Sequence, residues 1–98
     1  MRDPKILEAV KASLALLTER APGRAIEVRI PPYAAVQCGD GPTHTRGTPP
    51  NVIEMNAETW LALASGEQSW ADAMSAGLIS ASGVRADLTE LLPLEVKQ

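Results

Sequence analysis

Cys38 and His44 are the single cysteine and the single histidine of this 98-residue chain, so nucleophilic, acid–base and metal chemistry near neutral pH has few places to reside. Cys38 ends an alternating run, and His44 is the only base of its kind within reach along the sequence. A nucleophile needs a base held at hydrogen-bond distance, and nothing in this spacing supplies one, so Cys38 reads better as a buried, inert thiol. No Gly-x-Ser-x-Gly elbow occurs. One imidazole does not make a coordination sphere, which argues against a metal at His44. Gly39-Asp40-Gly41 signals a turn but lacks the helix start that a phosphate-binding glycine loop requires. Glu54, between Ile53 and Met55, is expected to face solvent or to pair with Arg29 or Arg46 across a sheet. These residues call for neither a catalytic role nor a cofactor.

What remains is the chemistry of binding. His44 and Arg46 sit on a stretch from 39 to 51 rich in Gly and Pro, where a cation can meet a carboxylate or phosphate head group. The alternative is a solvated loop with incidental charges. Trp60, Leu63, Trp70, Met74, Leu88, Leu91 and Leu92, with Val36 from a strand, are candidates to line an apolar pocket. Taken singly, each reads as ordinary core, because large apolar residues at helical spacing are usually just buried. Both tryptophans fall at or near helix starts, where an indole N–H can reach a polar rim or a ligand head.

The elements that must position these residues follow from period and punctuation. Asp3 caps and Pro4 opens a helix whose Ile6, Val10, Leu14 and Leu17 recur at three and four, with Leu7 and Leu16 widening the apolar stripe. Pro22-Gly23 ends it. Ile26, Val28 and Ile30 then alternate with Glu27 and Arg29 as a strand with one wet face, and residues 34–38 form a second strand after Pro31-Pro32. The two pair most simply as a hairpin. Residues 39–51 are a loop of functional length, and 52–55 return as a short strand. Asn56 caps a helix over 57–65 that stops at Gly66, and Ser69 with Asp72 opens another over 70–76 that stops at Gly77. Residues 78–82 read as a last strand, and 85–92 as a Leu-rich helix ended by Pro93.

Composition sets the limits. A chain of this length fits one domain, 1–98, and buries only about 60–65% of its unfolded surface. Hydrophobic residues make up 45% of the chain but aromatics only 3%, with no Phe, so the interior is expected to be aliphatic and Ala-rich. Small inner side chains leave either close backbone contacts or empty space that a guest would fill. Twelve acidic and nine basic residues are spread without a basic run, giving a net charge of -3 and disfavouring nucleic acid. One cysteine suits a reducing cytoplasm, and no stretch has the length or apolarity of a signal or integral membrane segment. A cytoplasmic protein is expected. The terminal Val96-Lys97-Gln98 is not the peroxisomal Ser-Lys-Leu address.

The run 59–66 (TWLALASG), then 69–73 (SWADA) and 77–83 (GLISASG), resembles the C-terminal half of sterol-carrier-protein (SCP2-like) domains. The segments around Val36-Gln37-Cys38 and Pro49-Pro50-Asn51-Val52, with His44-Thr45-Arg46-Gly47 between, are similar to the compact bacterial branch of that family. The likeness spans residues 24–92 and implies an α+β fold: a mainly antiparallel sheet of about four to five strands, covered on one face by helices. The expected element order is helix, three strands, two helices, strand, helix. The family implies an apolar tunnel between sheet and helices that accepts fatty acyl chains, acyl-CoA or sterols, and it brings no catalytic residues. This chain is shorter than the animal carriers, and a helix that would roof the tunnel is expected to be curtailed. The expected function is noncatalytic binding or carriage of a lipid or other apolar small molecule. The alternative is a protein-interaction or scaffold module on the same fold without a cavity, as the related domain looks when fused to bacterial thiol-dependent isomerases.

Overall fold

The computed structural model of the chain describes residues 3–41 and 51–94. Helix α1, Pro4–Arg20, begins where its end groups demand it. Asp3 Oδ1 accepts from the backbone N–H groups of Lys5 and Ile6 at 2.8 and 3.3 Å, and Pro4 fills the position where an N–H has no partner. Its buried stripe is Val10, Ser13, Leu14 and Leu17. Leu16 does not widen that stripe. It is 40% exposed, because one residue step turns it about 100° from Leu17, and Ser13 is buried instead.

Strands β1 (Ile26–Ile30) and β2 (Ala34–Cys38) form the expected antiparallel hairpin, in register from Ile26 opposite Cys38 to Ile30 opposite Ala34. Strand β3 (Asn51–Glu54) lies on the other side of β1 and runs parallel to it, and β4 (Ser80–Ser82) closes the sheet antiparallel to β3. The order is β2-β1-β3-β4, with two antiparallel ladders and one parallel. The parallel ladder has a simple cause. Cys38 and Asn51 both lie opposite Ile26, so β2 ends and β3 begins at the same end of the sheet, on opposite sides of β1, and β3 runs in the direction of β1. Asn51 fixes that start. Its buried amide donates to Ala25 O and accepts from the Arg85 N–H, each at 2.9 Å.

Helices α2 (Ala57–Ser65) and α3 (Trp70–Ser75) carry the caps their sequences announce. Asn56 Oδ1 accepts from Thr59 N at 2.8 Å, Ser69 Oγ accepts from Asp72 N at 3.1 Å, and Gly66 ends α2 at a φ of 87°. The segment 85–92 departs from expectation. It contains a single 3-10 turn, Thr89–Leu91, rather than a helix. Asp87 Oδ1 takes the Thr89 N–H at 2.8 Å, a local bond that competes with helix formation. Pro93 holds the preceding Leu92 extended, so too few residues remain to propagate a helix. Residues 83–94 therefore run as a strap. Arg20 reaches across to it, donating to the carbonyls of Leu91, Pro93 and Leu94 at 3.4, 3.1 and 2.8 Å, and Leu94 N donates to Ala64 O at 2.9 Å.

One face of the sheet is buried and the other is wet. Ile26, Val28, Ile30, Cys38 and Ile53 are buried under the helices, where α1 packs on β2 and against α2. Glu27, Arg29, Ala35, Gln37, Val52, Glu54, Ser80 and Ser82 line the opposite face, half-buried or exposed. Glu27 pairs with Arg29 there, and the two carboxylates Glu27 and Glu54 hold the guanidinium further toward its charged form.

The helix layer is locked to itself at Trp60. Its ring has no accessible surface, and its indole N–H donates to Ser13 Oγ at 2.8 Å. Ser13 Oγ in turn lies 2.8 and 3.0 Å from the carbonyls of Ala9 and Val10, to which it donates. The expectation that this indole faces a polar rim is thus corrected: its polar partner is a neighbouring helix.

Two outcomes follow from this core. Ser13→Ala leaves the Trp60 N–H buried without an acceptor and should cost roughly 1–3 kcal/mol in urea unfolding; a loss below about 0.3 kcal/mol would contradict the bond. Burial pushes the Cys38 thiol up from 9.0 to about 11. The unfolded chain ionises first, so the contribution of Cys38 is intact below about pH 9 and is lost as pH rises toward 11, by at most about 1.4 kcal/mol per pH unit. Unfolding titrations at about pH 8 and pH 10 should show a steeper loss for the natural chain than for Cys38→Ala, and equal losses would refute the assignment.

Candidate functional site

The interior offers no room for a guest among the described residues. Val10, Leu17, Val28, Ile30, Cys38, Ile53, Trp60, Ala73 and Leu88 all have 0% exposure. A hollow wide enough for even one water molecule would leave accessible surface on its walls, and these walls have none. The aliphatic inner faces are filled by one large ring. Trp60 occupies the space that a Phe-free composition leaves open.

Two open clefts flank the strap. The first has a volume of ≈ 250 Å³. Leu63 comes from α2, Trp70 from α3, and Gln68 and Ser69 from the turn between them, while the strap contributes Thr89, Leu92 and Pro93. Gly66 is called for by its left-handed backbone, at a φ of 87°, while a Cβ there would make only ordinary contact with the Pro93 ring. The lining is more apolar than polar. The second cleft, of ≈ 590 Å³, shares Thr89 with the first. It has a charged rim of Asp40, Arg85, Asp87 and Glu90, with Ala21 and Leu91 beneath. Arg85 donates from its guanidinium to Asp40 O at 2.8 Å, so that cation is already committed to the backbone.

The structure brings together only part of the expected site. Leu63, Trp70 and Leu92 line the first cleft, and Leu91 lines the second. Trp60 and Leu88 are core residues without surface to offer. Met74 is 41% exposed on α3 and lines neither cleft. Val36 lies half-buried on β2, away from both. His44 and Arg46 lie outside the described residues. Sequence reasoning did not single out Gln68, Ser69, Thr89 or Pro93 as lining residues: Ser69 reads as a cap, Pro93 as a stop, and Gln68 and Thr89 carry no apolar signal. It also missed Arg20, which reads as a surface residue of the last helical turn but ties down the strap.

Nucleophilic chemistry finds no foothold at Cys38, which is fully buried and whose thiol is held neutral. Among the described residues no group of three or more His, Cys, Asp and Glu side chains is placed to hold a metal ion. No helix of the described residues is long and apolar enough to cross a membrane.

Comparison with known proteins agrees with this architecture. No curated protein matches the chain. The family model described as "Bacterial SCP ortholog" matches residues 2–94, which takes in every described helix and strand. The fold, with helices on one face of a small sheet and a strap across their ends, is accordingly that of an SCP-like domain, and the chain belongs to the bacterial SCP-ortholog family.

Proposed function

We propose that the protein is a noncatalytic binding domain that holds an apolar group of a lipid or similar small molecule in the open cleft between the α2–α3 turn and the strap. The observation that supports this is the meeting of Leu63, Trp70, Leu92 and Pro93 around one surface opening. Membership of a carrier family supports the noncatalytic reading as well. The size of the opening sets the ligand. At ≈ 250 Å³ it falls below the roughly 300–1,000 Å³ of pockets that enclose drug-sized ligands, so it takes the end of an acyl chain rather than a whole sterol. The Trp70 ring supplies a flat apolar wall, and the hydroxyls of Ser69 and Thr89 at the rim can face a polar head. A cytoplasmic setting belongs to the same proposal.

A protein-interaction or scaffold role on the same fold is the second reading. The complete burial of Trp60 and Leu88 favours it, because a filled interior needs no guest for stability.

Native mass spectrometry of freshly purified protein and titration with a fluorescent fatty-acid probe test the first reading. Bound lipid or saturable probe binding is expected, a fluorescent sterol should bind more weakly, and Leu92→Asn should weaken the acyl probe about tenfold by removing apolar contact. Neither bound lipid nor saturation would overturn the reading, and unchanged affinity in Leu92→Asn would move the site elsewhere.

A further inference from the structure

The sheet order leaves β2 with a single neighbour, β1, so alternate amides and carbonyls along Ala34–Cys38 have no partner strand among the described residues. Exposed edges are usually guarded by charge, by Pro within the strand or by a bulge. This one has none of the three. Its sequence is Ala-Ala-Val-Gln-Cys, and its five residues pair with β1 without interruption. The opposite edge differs, since β4 has only three residues and is too short to recruit a partner strand.

On the wet face the edge is shaped as well as open. Ala35 is exposed and has almost no side chain, and two shallow depressions meet at it. One, of ≈ 370 Å³, runs toward Glu27 and Gln37. The other, of ≈ 420 Å³, runs toward Arg29 and Tyr33. Ala35 lies opposite Arg29 and Gln37 lies opposite Glu27, so each end of the trough is backed by a charge of opposite sign.

We propose that β2 pairs with β2 of a second copy of the chain, antiparallel about Val36, joining the two sheets into one across a two-fold axis. The charge pattern selects this occupant. In that register Gln37 faces Ala35 of the partner subunit, and each cross-strand row then runs from Glu27 at one end to Arg29 of the partner subunit at the other. The two-fold repeats the row in reverse, so charges alternate in sign along each row, from Glu27 to Arg29 of the partner subunit and on to Glu54 of the partner subunit, which lies opposite that arginine. On the inner face Val36 meets Val36 of the partner subunit, a small, uncharged pair. The inference is independent of the binding cleft, to which β2 contributes no residue.

Sedimentation velocity over about 1–500 µM provides the test. The natural chain should move from the 10.4 kDa monomer toward twice that mass. Ala35→Lys guards the edge with charge and should raise the dimer dissociation constant about tenfold or more, with an unchanged circular-dichroism spectrum. The double variant Ala35→Lys with Gln37→Glu sets opposite charges face to face across the axis and should restore the dimer. Hydrogen exchange on the natural chain reads the same edge without a variant: amides within 34–38 should become more protected as concentration rises. A chain that stays monomeric throughout overturns the proposal and leaves the edge to a strand of some other protein. So does a dimer indifferent to Ala35→Lys, exchange at 34–38 that ignores concentration, or a double variant that is not restored.

Discussion

The bond from the Trp60 indole to Ser13 Oγ is the constraint around which the helix layer is arranged. A chain of this length has little core to spare, and one without Phe must fill its centre with something else. A single tryptophan does so, but it brings a polar N–H into a space from which water is excluded. Ser13 answers that need. Its hydroxyl accepts from the indole while donating to the preceding turn of α1, so the donor and the acceptor are both satisfied and α1 and α2 are fixed in register.

The site follows from that filled centre. With Trp60 and Leu88 closing the interior, the candidate binding clefts among the described residues lie where elements end, at the α2–α3 turn and along the strap. The strap has almost no secondary structure of its own and is positioned by others: Arg20 binds three of its carbonyls, Asn51 holds the Arg85 N–H, and Ala64 O receives Leu94 N. The apolar cleft is consequently a product of tertiary hydrogen bonds rather than of a rigid helix.

Much of the fold was legible in the sequence because strong local signals agreed with the final packing. Asp3-Pro4, Asn56 and Ser69 opened helices where they stood, and the period-2 runs at 26–30 and 34–38 became strands with those same limits. What escaped was non-local. The parallel placement of β3 beside β1 is a pairing between strands distant in sequence, and no local pattern encodes it. The Leu-rich 85–92 run has helical spacing, yet the Asp87 turn and Pro93 leave it no length to propagate. For the site, the apolar residues Leu63, Trp70 and Leu92 were legible by type, but type alone did not separate them from Trp60 and Leu88. Placement decides that: Leu63 is nearly as buried as Leu88 but lies beside the opening at the strap, and placement is a property of the assembled layers.

The two tryptophans now have opposite assignments, one sealed in the core and one on the cleft wall, and each carries its own indole N–H resonance. A two-dimensional NMR titration of labelled protein with a short-chain fatty acid compares them in a single experiment. The account predicts that the Trp70 indole signal shifts progressively to saturation while the Trp60 signal stays in place. Movement of the Trp60 signal, with Trp70 unchanged, would mean that the ligand enters between helices and sheet, contradicting the filled interior.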